Sequence, residues 1–274
     1  MSNKNTTQET YLKRTTFKIT SKCTLKCKLC LAYIPYYKNP KDLSYENAKK
    51  ILARFFSLVD KIGTFSITGG EPFINKDFAN IINETFNYIN QIEQTVDIVT
   101  NGTLLPSEDL LKTLKAHKQR IRVIISNYGK LSRNIDKLIQ ILKENDINFR
   151  IEEYSDEKNL KYGGWLDYRD HSLKHSTQKD VIQQAKDCFF RQGRYYEINE
   201  GEFHLCSRSF YRMMTGIIPK NQDQYIDLLN PTNSIEDDRH KLLELDKLVY
   251  LDSCAYCDGN KANSKRYKPA EQLP

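Results

Sequence analysis

Apolar positions along the chain recur with two periods. Thr15 to Thr20, Thr64 to Thr68, Val96 to Thr100, Ile121 to Ser126 and Phe149 to Tyr154 read as strands. The fourth is almost continuously apolar, as a parallel strand covered on both faces should be. Between them helical spacing takes over. Ala48, Ile51, Leu52, Phe55, Phe56 and Val59 follow Ser44, a good helix N-cap, with Glu46 in the first turn. Residues 76–91 place Phe78, Ile81, Ile82, Thr85, Phe86 and Ile89 on one face; residues 107–117 give a third helix. Residues 132–145 give a fourth, with Ile135, Leu138, Ile139 and Leu142 facing in. Strand and helix thus alternate from residue 15 to about 154, which predicts βαβ units around a parallel sheet. Ligands then gather at the carboxyl ends of the strands.

The pattern changes after residue 155. Lys161 to Arg169 is a glycine and aromatic loop with the single Trp, Trp165, which either walls a pocket or packs over the barrel mouth. Tyr195 to Leu205 alternates and turns at Gly201, so it reads as a β-hairpin. Residues 207–215 and 234–249 read as helices, and Lys220 to Asn233 as an irregular loop without assignable chemistry. The expected organisation is a polar leader over 1–14, an α/β unit over 15–170 and a smaller α+β unit over 171–274.

Composition narrows the class. No apolar run approaches the roughly 20 residues that span a bilayer, and the first fourteen residues lack the apolar core of a secretory signal. Seven cysteines without such a signal argue for reduced thiols or metal ligands, hence a cytoplasmic protein with no membrane association. The net charge of +7 is spread among interleaved acids and bases with no dense basic block, which favours a solvated surface over nucleic-acid binding.

The chemistry centres on Cys23, Cys27 and Cys30, a C-x3-C-x2-C loop directly after the first strand. Three thiolates on one short loop suit three corners of a [4Fe–4S] cubane and leave one iron open; structural cysteines or a partial zinc knuckle are the rivals. About forty residues later a strand runs into Gly69-Gly70-Glu71-Pro72. Glycines there let the backbone approach a ligand, and Glu71 offers a carboxylate. This combination resembles the radical S-adenosylmethionine (SAM) superfamily. The resemblance implies a (β/α)6 partial barrel whose open iron binds SAM. An electron from the cluster then cleaves SAM to a 5′-deoxyadenosyl radical, which abstracts a substrate hydrogen. It implies that the Gly69-Gly70-Glu71 element holds the SAM amino group and that Asn101, after the third strand, lies beside SAM, although an Asn-Gly pair also makes an ordinary turn. It implies Ser126 or Asn127 at the ribose, Leu29 as a further SAM contact, and a flavodoxin or ferredoxin as reductant.

Cys188, Cys206, Cys254 and Cys257 remain, with 17 residues between the first two and a C-x2-C pair at the end. Four thiolates suit tetrahedral zinc or a fully ligated [4Fe–4S] cluster. The order Cys, hairpin, Cys, helix, Cys pair resembles the twitch domain, the short form of the SPASM auxiliary domain, which implies a second [4Fe–4S] cluster. Seven cysteines then divide into three and four with none left to return a hydrogen atom. Twitch enzymes include one that oxidises an aminocyclitol alcohol to a ketone, and the layout here is similar. The expected substrate is therefore a carbohydrate- or cyclitol-like small molecule. Tyr128, Arg169 and Arg208, with Tyr168 and His204, are the candidates for handling its proton. Ribosomal-peptide crosslinking and sugar epimerisation, with a Tyr or an unassigned Cys as hydrogen donor, are the alternatives.

Overall fold

The computed structural model describes residues 9–156, 158 and 160–274. Five parallel strands come first: β1 (Tyr11–Lys18), β2 (Lys61–Thr68), β3 (Val96–Thr100), β4 (Ile121–Asn127) and β5 (Phe149–Glu153). Each crossover carries a helix: α1 (Tyr45–Leu58), α2 (Phe78–Phe86), α3 (Glu108–Ala116) and α4 (Ile135–Glu144). Ser44 and Ser107 cap α1 and α3 by accepting from Asn47 N and Leu110 N, so two helix starts are fixed by the residues that begin them. β1 starts inside the stretch expected to be leader. Leu12 faces the core and Arg14 aligns with Thr64 of β2, so a polar residue on a sheet face hid the strand.

Beyond β5 come α5 (Gln178–Asp187), α6 (Phe189–Gln192), β6 (Tyr196–Asn199), β7 (Glu202–His204), α7 (Ser207–Met214), β8 (Tyr225–Asp227) and α8 (Ile235–Lys247). α5, α6 and β8 were not legible in the sequence. Strands form one eight-stranded sheet in the order β5-β4-β3-β2-β1-β6-β7-β8. Residues 11–153 therefore hold five strands, not the six of the expected partial barrel. The sixth parallel strand is β6, paired to β1 on the opposite edge from β5. The expected hairpin is real, with Ile198 opposite Phe203.

The core runs across the expected boundary at residue 170. Phe55 of α1 packs on Phe65 of β2 and on Phe203 of β7, with ring centroids 5.8 and 6.0 Å apart. Tyr196, Ile198, Phe203, Ile226 and Leu245 are buried in the same apolar cluster as β1–β4. Among the described residues no helix is long and apolar enough to cross a membrane.

Candidate active site

The cysteine loop leaves the carboxyl end of β1 and is clamped by the turn that follows β2. Gly70 N donates to Thr20 O and Glu71 N to Lys22 O, both at 2.9 Å. A β-carbon at Gly69 would lie 2.5 Å from Thr20 O, and one at Gly70 2.1 Å from Lys22 O. The close approach the glycines permit is thus to the chain itself.

Glu71 differs from expectation. Its carboxyl is fully buried rather than offered to a ligand. It accepts from Thr100 Oγ1 at 2.9 Å, Asn101 N at 2.8 Å and Phe73 N at 3.1 Å, which ties β2 to β3. Loss of water pushes its pKa up to about 7, and those same bonds resist the rise.

Cys23, Cys27 and Cys30 are free thiols surrounded by N–H groups. Leu25 N lies 3.4 Å and Asn101 Nδ2 3.6 Å from Cys23 Sγ, and Gln272 Nε2 lies 3.2 Å from Cys27 Sγ. Backbone N–H groups of Ile34, Ala32 and Tyr33 favour the thiolate at Cys30. Burial pushes Cys23 up to about 12 and Cys27 up to about 11, so these sulfurs are anionic only with a positive partner. Three sulfurs on one loop, each with N–H donors, fit a thiolate-held iron–sulfur cluster. Among the described residues no three His, Cys, Asp or Glu side chains converge on a single metal ion.

The β3 and β4 ends join this loop. Asn101 Nδ2 also donates to Thr24 Oγ1 at 3.1 Å. Ser132 Oγ bridges Asn101 O at 2.6 Å and Ser126 O at 3.1 Å. Gly69, Gly70, Glu71, Asn101 and Ser126 are therefore linked to one another and to the cysteine loop. Asn127 turns away, donating to Glu153 Oε2 at 2.8 Å. Tyr128 is hydrogen-bonded to Ser126, and burial holds its phenol well above the usual value.

A cavity of about 510 Å³ opens beside the loop, lined by Leu29 and Leu31 on one side and by Tyr168, Phe190 and Asn260 on the other. Tyr154 and Trp165 also line it, so the single Trp is a pocket residue. Trp165 meets Tyr128 edge-on at 5.6 Å. A second cavity of about 840 Å³ shares Tyr154 and Arg266 with the first and is lined by Tyr128. Sequence reasoning passed over Tyr154, whose hydroxyl donates to Glu152 Oε2 at 3.3 Å; its place at a strand end was the available signal.

The second cysteine set lies behind Tyr168 and Phe190. Cys188 and Cys206 occupy the N-cap positions of α6 and α7, while Cys254 lies within a short 3-10 turn that Cys257 ends. Cys188, Cys206 and Cys257 all act electrostatically on Tyr168, and Cys206 also acts on Cys254. Three buried arginines surround them. Arg208 lies 4.4 Å over Phe190 and 4.9 Å over Tyr168, placed toward the cysteines and behind the cavity wall. Arg212 donates to Ser253 O at 2.9 Å and Tyr256 O at 2.6 Å, fixing the Cys254–Cys257 turn. Arg191 keeps two buried nitrogens, Nε and Nη1, without a partner, and it acts on Cys254. Three buried guanidinium groups beside four thiols, one of them with two unpartnered nitrogens, fit a ligand set that is anionic when metal-bound. The i, i+4 spacing of Arg208 and Arg212 was the legible hint.

Two candidates fall away. Arg169 is exposed and bound at both ends by Asp167, at 2.9 and 2.6 Å, because its nearest carboxylate is two residues back. His204 is fully buried under Tyr225 and Phe210, bonded to Glu202 at 3.0 Å, because β7 turns it into the core rather than to the cavity.

Comparisons with known proteins agree with this geometry. A GTP 3′,8-cyclase of Aliarcobacter butzleri is 27% identical over 173 residues, 62% of this chain and 50% of that protein. The subtilosin biosynthesis protein AlbA of Bacillus subtilis is 37% identical over 114 residues, 40% of this chain and 23% of that protein. The chain thus spans half or less of these curated relatives. BtrN, solved in complex with AdoMet and 2-DOIA, shares the fold at a TM-score of 0.55 and 16% identity, covering 97% of this chain and 100% of that one. Residues 17–126, from β1 through the cysteine loop to the end of β4, match the Radical SAM superfamily.

Proposed function

We propose that the protein is a radical SAM oxidoreductase that takes a hydrogen atom from a carbohydrate- or cyclitol-like small molecule and converts an alcohol to a ketone. The observation that carries this reading is the 510 Å³ cavity between Leu29 and Leu31 of the first cysteine loop and Tyr168 and Phe190 beside the second set. A substrate held there lies between two redox centres. Cys23, Cys27 and Cys30 would hold a [4Fe–4S] cluster, with SAM against Leu29, the Gly69-Gly70 turn, Asn101 and Ser126. Cys188, Cys206, Cys254 and Cys257 would hold a second cluster in a twitch-like unit, with Arg191 and Arg208 balancing its charge. When bound, the first cluster and SAM supply hydrogen-atom abstraction, and the second cluster supplies an electron acceptor.

The residues of the chain do the rest. Trp165, Tyr154 and Tyr168 give flat walls that bury a small ligand and exclude water. The substrate carbinol loses one hydrogen atom, one proton and one electron. Tyr154 stands where a substrate hydroxyl can pass that proton on to Glu152. The test is anaerobic reconstitution followed by SAM, a flavodoxin or dithionite, and a panel of sugars and cyclitols. Substrate-dependent 5′-deoxyadenosine with a trapped ketone supports the reading. 5′-Deoxyadenosine formed only with a peptide would replace it by peptide crosslinking, the alternative favoured by the likeness to AlbA.

A further inference from the structure

A segment distant in sequence lies across the first cysteine loop. Cys27 and Gln272 form an isolated antiparallel bridge. Lys28 N donates to Glu271 O at 2.7 Å, and Leu273 N to Lys26 O at 2.8 Å. These two main-chain bonds already dock the segment. The Gln272 side chain adds a contact of another kind. Its Oε1 accepts from Lys26 N at 2.8 Å, while Nε2 donates to Cys27 Sγ at 3.2 Å and to Ala270 O at 2.7 Å. One amide thus serves both the backbone and the sulfur of the loop. Ala270 adopts a φ of 55°, in the left-handed region that a β-carbon disfavours, and this bend precedes the side chain that reaches the sulfur.

We infer that Gln272 is a positioning residue for the first redox centre, donating an N–H bond to the Cys27 thiolate and so raising the reduction potential of the cluster held there. This rests on the reading that Cys23, Cys27 and Cys30 hold a [4Fe–4S] cluster. The physical reason is charge. One-electron reduction makes the cluster and its thiolates more negative, and a donor to sulfur stabilises the more negative state more strongly. The consequence is a centre that a weak physiological reductant loads more readily.

Two substitutions separate this from a purely structural strap. Gln272→Met keeps the length and removes the donor. Gln272→Lys keeps a donor and removes the acceptor for Lys26 N. Reconstituted full-length variants are titrated anaerobically, with the first cluster followed by its electron paramagnetic resonance signal. The midpoint of the first cluster moves to more negative potential in Gln272→Met and does not in Gln272→Lys, while the second cluster keeps its potential in both. Both variants at the parent potential, or neither retaining iron at the first site, overturns the inference. A parent whose iron survives loss of Cys23, Cys27 and Cys30 overturns the underlying cluster reading instead.

Discussion

Asn101 Nδ2 reaches across β2 to stand 3.6 Å from Cys23 Sγ, so the end of β3 touches the first cysteine of a loop that begins on β1. The same side chain accepts from Thr103 N at 2.9 Å, and its backbone N–H is held by Glu71. Asn101→Ala loses these side-chain bonds together. The expected cost is about 1–2 kcal/mol of stability with slower 5′-deoxyadenosine formation. Denaturant unfolding and anaerobic SAM cleavage with dithionite read the two effects. A parent-like result in both would leave Asn101 as an ordinary turn residue.

Ala at Cys23, Cys27 or Cys30 removes one of three sulfurs from the first site. The variants are expected to lose 5′-deoxyadenosine formation altogether and about half of their iron, from about eight to about four atoms per chain. Product analysis and iron determination on the same preparation check this. Retained 5′-deoxyadenosine would sink the site assignment.

Ala at Cys254 or Cys257 leaves the first loop intact. SAM cleavage is expected to continue, without oxidised product and with the same fall in iron to about four. Full product yield in these variants would contradict an electron-accepting second centre. Loss of one zinc instead of four irons would make that site structural.

Trp165 lines the cavity and meets Tyr128 and Tyr154 edge-on, at 5.6 and 6.1 Å. Trp165→Ala removes a wall without touching a cysteine. KM is expected to rise roughly tenfold or more, about 1.4 kcal/mol, with little change in kcat, as loss of uniform binding requires. An unchanged KM would place the substrate elsewhere.

Asp60 ties the end of α1 to α8. Arg239 donates to both of its oxygens, at 3.1 and 2.6 Å, and these bonds hold its pKa down from 3.8 to about 2. A depressed carboxyl stabilises the fold above its unfolded value and loses that contribution as pH falls through the folded one. Asp60→Asn is therefore expected to lower the melting temperature at pH 5 and to converge on the parent between about pH 4 and pH 2. A difference independent of pH would show that packing, not charge, matters there.

The elements written in short-range pattern were legible in the sequence. The C-x3-C-x2-C loop, the Gly-Gly-Glu turn, five strands and four crossover helices each depend on spacing within about fifteen residues, and period and capping reveal such spacing. What the tertiary structure alone decided lies further apart. β6 joins the free edge of β1, some 180 residues away, because an open parallel sheet leaves that edge unpaired and Phe203 can then share the Phe55 core. Glu71 turns inward because Thr100 and Asn101 N supply the donors its burial demands. Gln272 meets Cys27 across 245 positions. No local rule forecasts such a contact, since it follows from where the packed sheet delivers the chain and not from the preference of either residue.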